Sequence, residues 1–294
     1  MGKSVKEIRE HIRAVRETRQ ITNAMYLLSA SRMKKIMPHV DYARAYAHRV
    51  RAAVKDILTR TPQIEHQYLE SGKNVRAHGA QRKAFLVMAS DKGMAGPFNH
   101  NVLQFALGSI ENCADPFIAT VGIYASEFFR RRGYRPDREY LGIAQNPSIG
   151  NARKLKDELF ELYDSGEISE VNVIYMRFVN TVTQYPRQVR ILPVLLQDLS
   201  GVDLEYEYDC EMIYHPSPEE VFRELVPQYA IGFLYGALTQ SYASENCARM
   251  NAMQRATKNA DELIDQLVHD YHMARQIGIT QELCETVATG LLKR

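Results

Sequence analysis

Long apolar runs are missing from this 294-residue chain, and none approaches the ~20 residues that a membrane-spanning helix needs. A secretory leader is not legible either, because Lys3, Lys6 and Arg9 lead into an amphipathic segment rather than an apolar one. Glu7, Glu10 and Glu17 argue against an organelle transit peptide, which is poor in acids. Four cysteines, Cys113, Cys210, Cys247 and Cys284, are far apart and form no C-x-x-C, so we read them as reduced thiols in a cytosolic protein. Neither G-x-G-x-x-G nor G-x-x-x-x-G-K-[ST] occurs. "GKS" at 2–4 copies only the tail of a phosphate loop and has no strand before it. No arrangement of Ser, His and Asp points to a nucleophile, so nothing identifies the chain as a catalyst by itself.

Glycine is also missing between Lys3 and Ser71, where the only prolines are Pro38 and Pro62. That absence predicts one helix of about 55 residues, about 80 Å long, kinked at Pro38. Val5, Ile8, Ile12 and Val15 follow 3-4-3 spacing, and Ile21, Met25 and Leu28 are expected to resume it in a shifted register. At the other end, "HPSPEE" predicts Ser217 as N-cap, Pro218 at the first helical position and Glu220 closing a capping box. Beyond it Met250, Met253, Thr257, Ala260, Ile264, Leu267, Tyr271, Ala274 and Gly278 alternate by three and four, a heptad seam whose small residues imply close helix approach.

Between the helices the period changes. "AFLVMAS" (84–90), "FIATVG" (117–122), "VNVIYMRFVN" (171–180) and "RQVRILPVL" (187–195) read as buried strands, and helical stretches at 99–110, 124–132 and 148–164 alternate with the first three. The expected fold is therefore α/β with a long coiled coil: N- and C-terminal helices (1–62 and 210–294) paired antiparallel, and a Rossmann-like α/β domain with a largely parallel sheet inserted between them (75–205).

Three sets of residues invite a functional reading. "SDKGMAGPFNHN" (90–101) follows a strand and precedes a helix, the place of a ligand loop, where Gly93 and Gly96 would admit a bound anion; a small α/β enzyme is the corresponding alternative. His269 and His272 share a helix face but lack a third ligand at metal spacing, and read as exposed surface. The first 60 residues hold 14 Lys and Arg against 5 Asp and Glu, which admits a nucleic-acid-binding coiled coil. Against that, the charge recurs all round the helix without aromatic platforms. An acidic protein partner for Arg32, Lys34 and Lys35 is the third option.

"VKEIREHIRAVRETRQITNAM" with "SASRMKK", "SDKGMAGPFNHNV", "YASENCARMNAMQRATKNADELI" and "YHMARQIGITQELCETV" together resemble the gamma subunit of F-type ATP synthases, over nearly the whole chain and in the family's order. The resemblance implies a non-catalytic rotor shaft, one copy per complex, without a cofactor or metal of its own. Its terminal helices would turn inside a ring of three alpha and three beta subunits, coupling ion flow to ATP synthesis or hydrolysis. Its α/β domain would help join the shaft to the epsilon subunit and the c-ring, in a complex that also holds delta. It implies no nucleic acid, membrane association only through partners, and a peripheral place on the cytoplasmic face of a bacterial plasma membrane. Carried over by motif, Met25 would face the acidic lever segment of a beta subunit, with Arg32, Lys34 and Lys35 nearby. Arg249 would belong to a polar contact cluster, Arg275 and Gln276 would engage a beta-subunit catch loop, and Thr280 and Glu282 would complete that cluster. The chain departs from the family at Asn23, Pro38 and Cys284, and in its charged Lys293 and Arg294, which are expected to project from the apolar sleeve of the ring. The cysteine segment of chloroplast relatives is not seen, which implies no thiol switch.

Overall fold

The computed structural model describes residues 4–69, 82–199 and 213–291. It divides into two compact units, Met1–Ala30 with Arg249–Arg294, and Ser31–Ala248. The first helix, α1, is continuous over Val5–Arg60 and runs through Pro38; the last, which we number α5, covers Pro218–Leu291 and runs through Pro227. Both units therefore draw on both helices. The start of α1 carries a reciprocal capping box: the Ser4 N–H donates to Glu7 Oε2 (2.9 Å) and the Glu7 N–H donates to Ser4 Oγ (3.2 Å). At α5 the Glu220 N–H donates to Ser217 Oγ at 3.2 Å, the expected N-cap.

The larger unit is built on a five-stranded sheet: β1 (Lys83–Met88), β2 (Pro116–Val121), β3 (Arg138–Tyr140), β4 (Glu170–Phe178) and β5 (Gln184–Leu192), in the order β3-β2-β1-β4-β5. All neighbours are parallel except β4 and β5, which form an antiparallel edge pair. Helices α2 (Phe98–Glu111), α3 (Ile123–Arg131) and α4 (Ile149–Asp164) connect the parallel strands. The strand β3 was not expected from sequence; "REY" is three residues long and two of them are charged, which leaves no apolar alternation to read.

Strand alternation divides the core into two layers. Phe85, Val87, Ile118, Ile174 and Met176 pack against α2 (Phe98, Val102, Leu103, Ile110) and α3 (Ala125, Phe129). Leu86, Met88, Phe117, Val121 and Val173 point the other way. They meet α4 through Leu155 and Leu159, α1 through Val54 and Ile57, and α5 through Phe222, Val226 and Leu234. On that side α1 and α5 come so close that a Cβ placed on Gly232 would overlap the Tyr46 ring.

In the smaller unit α1 and α5 run antiparallel. Moving along α1 from Arg9 through Arg19 to Thr22, the partner on α5 moves back from Tyr271 through Asp261 to Thr257. All nine expected seam residues of α5 are buried or half-buried, while Gln254, Arg255, Lys258, Glu262 and Leu263 are exposed. Ile8, Ile12 and Leu267 form a buried cluster with Val15, Val268, Tyr271 and Ala274 around it. One expectation for α1 fails. Ile21 is 61% exposed and Leu28 52%, whereas Thr22 is half-buried and Ser29 buried. The heptad of Val15 simply continues through Thr22 and Ser29, and the small polar residues at these inward positions gave the sequence no apolar signal.

Candidate partner-contact surfaces

The paired helices place the candidate residues of the smaller unit in two groups. Met25 and Arg249 lie toward one end: Met25 is half-buried, in line with Thr22 and Ser29, and Arg249 is buried. Arg275, Gln276, Thr280 and Glu282 lie toward the other end and are all exposed. The 26 residues from Arg249 to Arg275 correspond to about 39 Å along α5. The structure therefore does not bring the six candidates of this unit into one site. The antiparallel register puts Arg275 level with Val5, the first residue of α1, so Thr280 and Glu282 lie beyond the described part of α1. The Thr280 hydroxyl donates to the Gln276 carbonyl one turn back, at 2.9 Å.

Polar contacts hold the register between the helices. The Thr22 and Thr257 hydroxyls are 2.9 Å apart inside the seam, Arg19 and Asp261 form an ion pair, and an Arg9 Nη2 donates to the Tyr271 hydroxyl at 2.8 Å. That hydrogen bond lowers the Tyr271 phenol from its ordinary pKa, since the guanidinium favours the phenolate. His269 and His272 are exposed, as expected, and no group of His, Cys, Asp and Glu among the described residues could hold a metal ion.

Around both groups stand large exposed apolar side chains, of which the sequence had placed Ile21 and Leu28 in the seam and had not singled out the rest. Ile21, Leu27 and Leu28 are exposed on α1, and Met273, Ile277, Ile279 and Leu283 on α5. On α5 the readable signal is that Met273, Ile277, Ile279 and Leu283 fall off the seam, and apolar residues clustered at outward heptad positions mark a candidate contact surface. Arg32, Lys34 and Lys35 belong to the larger unit, where Arg32 is half-buried and the two lysines are exposed. Lys293 and Arg294 lie outside the described residues.

The loop at 90–101 is occupied by its own side chains. Asn99 Oδ1 accepts from the Ser90 N–H (3.1 Å), and the Ser90 hydroxyl donates to the Lys92 carbonyl (2.7 Å). Asp91 spends both carboxylate oxygens inside the fold: Oδ1 accepts from the Ile123 N–H at the start of α3 (3.1 Å), and Oδ2 from Gln145 Nε2 (3.3 Å). The space beside Gly93 is filled by the Tyr124 hydroxyl. The groups that would cradle an anion thus fasten β1 to α3, and a ligand-loop reading has no geometry to rest on. Gly122 supports the same junction, with φ of 93° and a would-be Cβ 2.6 Å from the Ala89 carbonyl oxygen. Among the described residues, no helix is long and apolar enough to cross a membrane.

The family model described as ATP synthase matches residues 4–290. An ATP synthase gamma chain from Caldanaerobacter subterraneus subsp. tengcongensis is 38% identical over 98% of this chain and 98% of its own length. The gamma chain of Symbiobacterium thermophilum is 35% identical, over 98% of this chain and 97% of its own. Among solved structures, a chain of the Euglena gracilis mitochondrial ATP synthase assembly of OSCP, F1 and c-ring superimposes with a TM-score of 0.66 at 16% identity. It covers 98% of this chain and 93% of its own. A chain of the central stalk and c-ring assembly from Tetrahymena thermophila gives 0.60 at 23% identity, over 80% and 99%. The fold is shared with these two chains, and with curated relatives matched from end to end the chain belongs to the ATP synthase gamma-chain family.

Proposed function

We propose that this gamma chain, the non-catalytic central-stalk rotor subunit of its ATP synthase, acts on the catalytic beta subunits through the outward faces of its paired helices. Its partners are the hexamer of three alpha and three beta subunits, the epsilon subunit and the c-ring, with delta elsewhere in the complex. It meets the membrane only through them, and its place is the cytoplasmic face of a bacterial plasma membrane. The working division is the one expected from sequence: terminal helices 1–62 and 210–294 as shaft, and residues 75–205 as the part joined to epsilon and the c-ring. An antiparallel helix pair has no threefold symmetry, so it presents a different face to each of three equivalent subunits. Each face stabilises a different conformation, and turning the shaft redistributes the three among open and closed states.

The observation that carries this reading is the exposed end of α5. Arg275, Gln276, Thr280 and Glu282 alternate there with exposed Ile277, Ile279 and Leu283, so polar and apolar contacts interleave on one helix. Arg275 is suited to a carboxylate on a beta-subunit loop. Met25 with Ile21 and Leu28 forms a second contact level, and Arg32, Lys34 and Lys35 a basic one that meets acidic segments repeatedly without locking.

The test is reconstitution with alpha and beta subunits. The chain alone should not hydrolyse ATP, and the hexamer should respond strongly to its addition. Arg275→Ala with Gln276→Ala should weaken torque-coupled turnover about tenfold, as expected for losing a charge-assisted hydrogen bond. A hexamer that neither binds the chain nor changes its ATPase rate would overturn the proposal.

A further inference from the structure

A cavity of about 280 Å³ in the larger unit is ringed by positive charge. Arg44, His48 and Arg51 reach it from successive turns of α1, Tyr175 and Arg177 from one face of β4, and Arg187 from β5. No acidic side chain lines it. Arg44 and His48 are exposed at its rim, while Arg51, Arg177 and Arg187 are half-buried. Tyr175 stands opposite Arg187 in the β4–β5 register, is 4% exposed, and packs edge-on against Phe233.

Of the nearby carboxylates, Asp41 pairs with Arg44 at 3.9 Å without lining the cavity, and Asp198 is committed to Arg190. Asp198 accepts from Arg190 through Nε (3.0 Å) and Nη2 (2.8 Å), and only its backbone carbonyl meets Arg51, at 2.7 Å. The Nε of Arg51 is buried without a hydrogen-bond partner. Arg177 lies over the Tyr185 ring, and neither it, Arg51 nor Arg187 has an ion pair among the described residues. Several half-buried guanidinium groups around one small space repel one another, and a bound anion would relieve that repulsion.

We propose that this cavity is a binding site for a small, multiply charged phosphoryl anion, held by the forks of Arg51, Arg177 and Arg187 and by the Tyr175 hydroxyl. Planar guanidinium forks match tetrahedral oxyanions in paired hydrogen bonds, which favours phosphoryl groups over halide. The volume lies just below the range of pockets that enclose drug-sized ligands, and so suits one or two phosphoryl groups rather than a whole nucleotide. The site is independent of the rotor reading, because none of the candidate contact residues lines it and it needs no partner subunit.

The probe is inorganic pyrophosphate, titrated calorimetrically into the full chain at fixed ionic strength, with thermal unfolding in parallel. The expected result is saturable one-to-one binding that raises the unfolding temperature. Arg187→Gln should weaken it by about tenfold or more, while Lys154→Gln on the exposed face of α4 leaves it unchanged. Without anion, Arg187→Gln should unfold no earlier than the parent chain, which separates a lost ligand from a damaged fold. A second arm uses phosphatidylcholine vesicles with and without phosphatidic acid. Sedimentation only with the phosphomonoester lipid, abolished by Arg187→Gln, would assign the phosphoryl group to a headgroup. Absence of binding in both arms, or equal losses in Arg187→Gln and Lys154→Gln, would overturn the site.

Discussion

Replacing Leu267 by alanine should open the paired helices locally, and the size of the effect can be worked out. Leu267 is 6% exposed and closes the cluster with Ile8 and Ile12, whereas Leu263, one turn earlier, is 37% exposed. Truncation to alanine removes three carbons at about 0.8 kcal/mol each, hence about 2.4 kcal/mol. The additional cavity term is small, because a two-helix seam is one layer deep and can collapse or admit water. A loss of about 2.4 kcal/mol multiplies the opening equilibrium by about 60. Hydrogen exchange of the intact chain reads that factor directly: amides of α1 around Ile8 and Ile12 should exchange about 60-fold faster. Leu263→Ala should change them by less than about fivefold, since much of that side chain already meets water. Equal acceleration by the two variants, or a larger effect of Leu263→Ala, would refute the register and with it the assignment of inward and outward faces.

Other outcomes follow from the larger unit and the rim of the seam. Gly122→Ala should cost about 3 kcal/mol in chemical unfolding, because its φ of 93° suits glycine alone and the new Cβ meets the Ala89 carbonyl oxygen. His66 is buried against Tyr68 and Phe222, and burial, reinforced by Arg223, pushes its pKa below 6.5. The folded state therefore holds the neutral ring. Its contribution is complete above pH 6.5 and is lost as the pH falls below 6.5 toward the depressed folded value, so His66→Gln should flatten the stability–pH curve on the acid side. Arg19→Ala should cost less than about 0.5 kcal/mol and lose even that in high salt, because Arg19 and Asp261 are both about half exposed; a larger loss at high salt would contradict a surface ion pair.

Much of this fold was legible in the residues because its strongest signals are periodic. The α5 seam from Met250 to Gly278 could be read position by position, since apolar and small residues recur there without interruption. The buried strands announced themselves as continuous apolar runs. What failed to show had no apolar signature: Thr22 and Ser29 in the α1 seam, the three-residue β3, and the internal hydrogen bonds of Ser90, Asp91 and Asn99. The last case is instructive for the site. A loop between a strand and a helix has the same residue types whether it holds a ligand or a neighbouring helix, and only the partners of Asp91 decide. The candidate contact residues came from motif resemblance rather than chemistry, because a contact surface is set by the partner's geometry, which this chain does not contain.

The register of the paired helices carries a consequence for assembly. Among the described residues no part of α1 stands opposite the last turns of α5, from Gln276 to Leu291. A solitary helix of that length is barely stable in water, even with favourable residues. The Thr280 hydroxyl donates to the Gln276 carbonyl of the same helix. A partner that enclosed this tip would complete its conformational order, and part of the free energy of docking would be consumed in stiffening it. A partner that gripped the tip more tightly would gain affinity less from new contacts than from meeting a helix already formed.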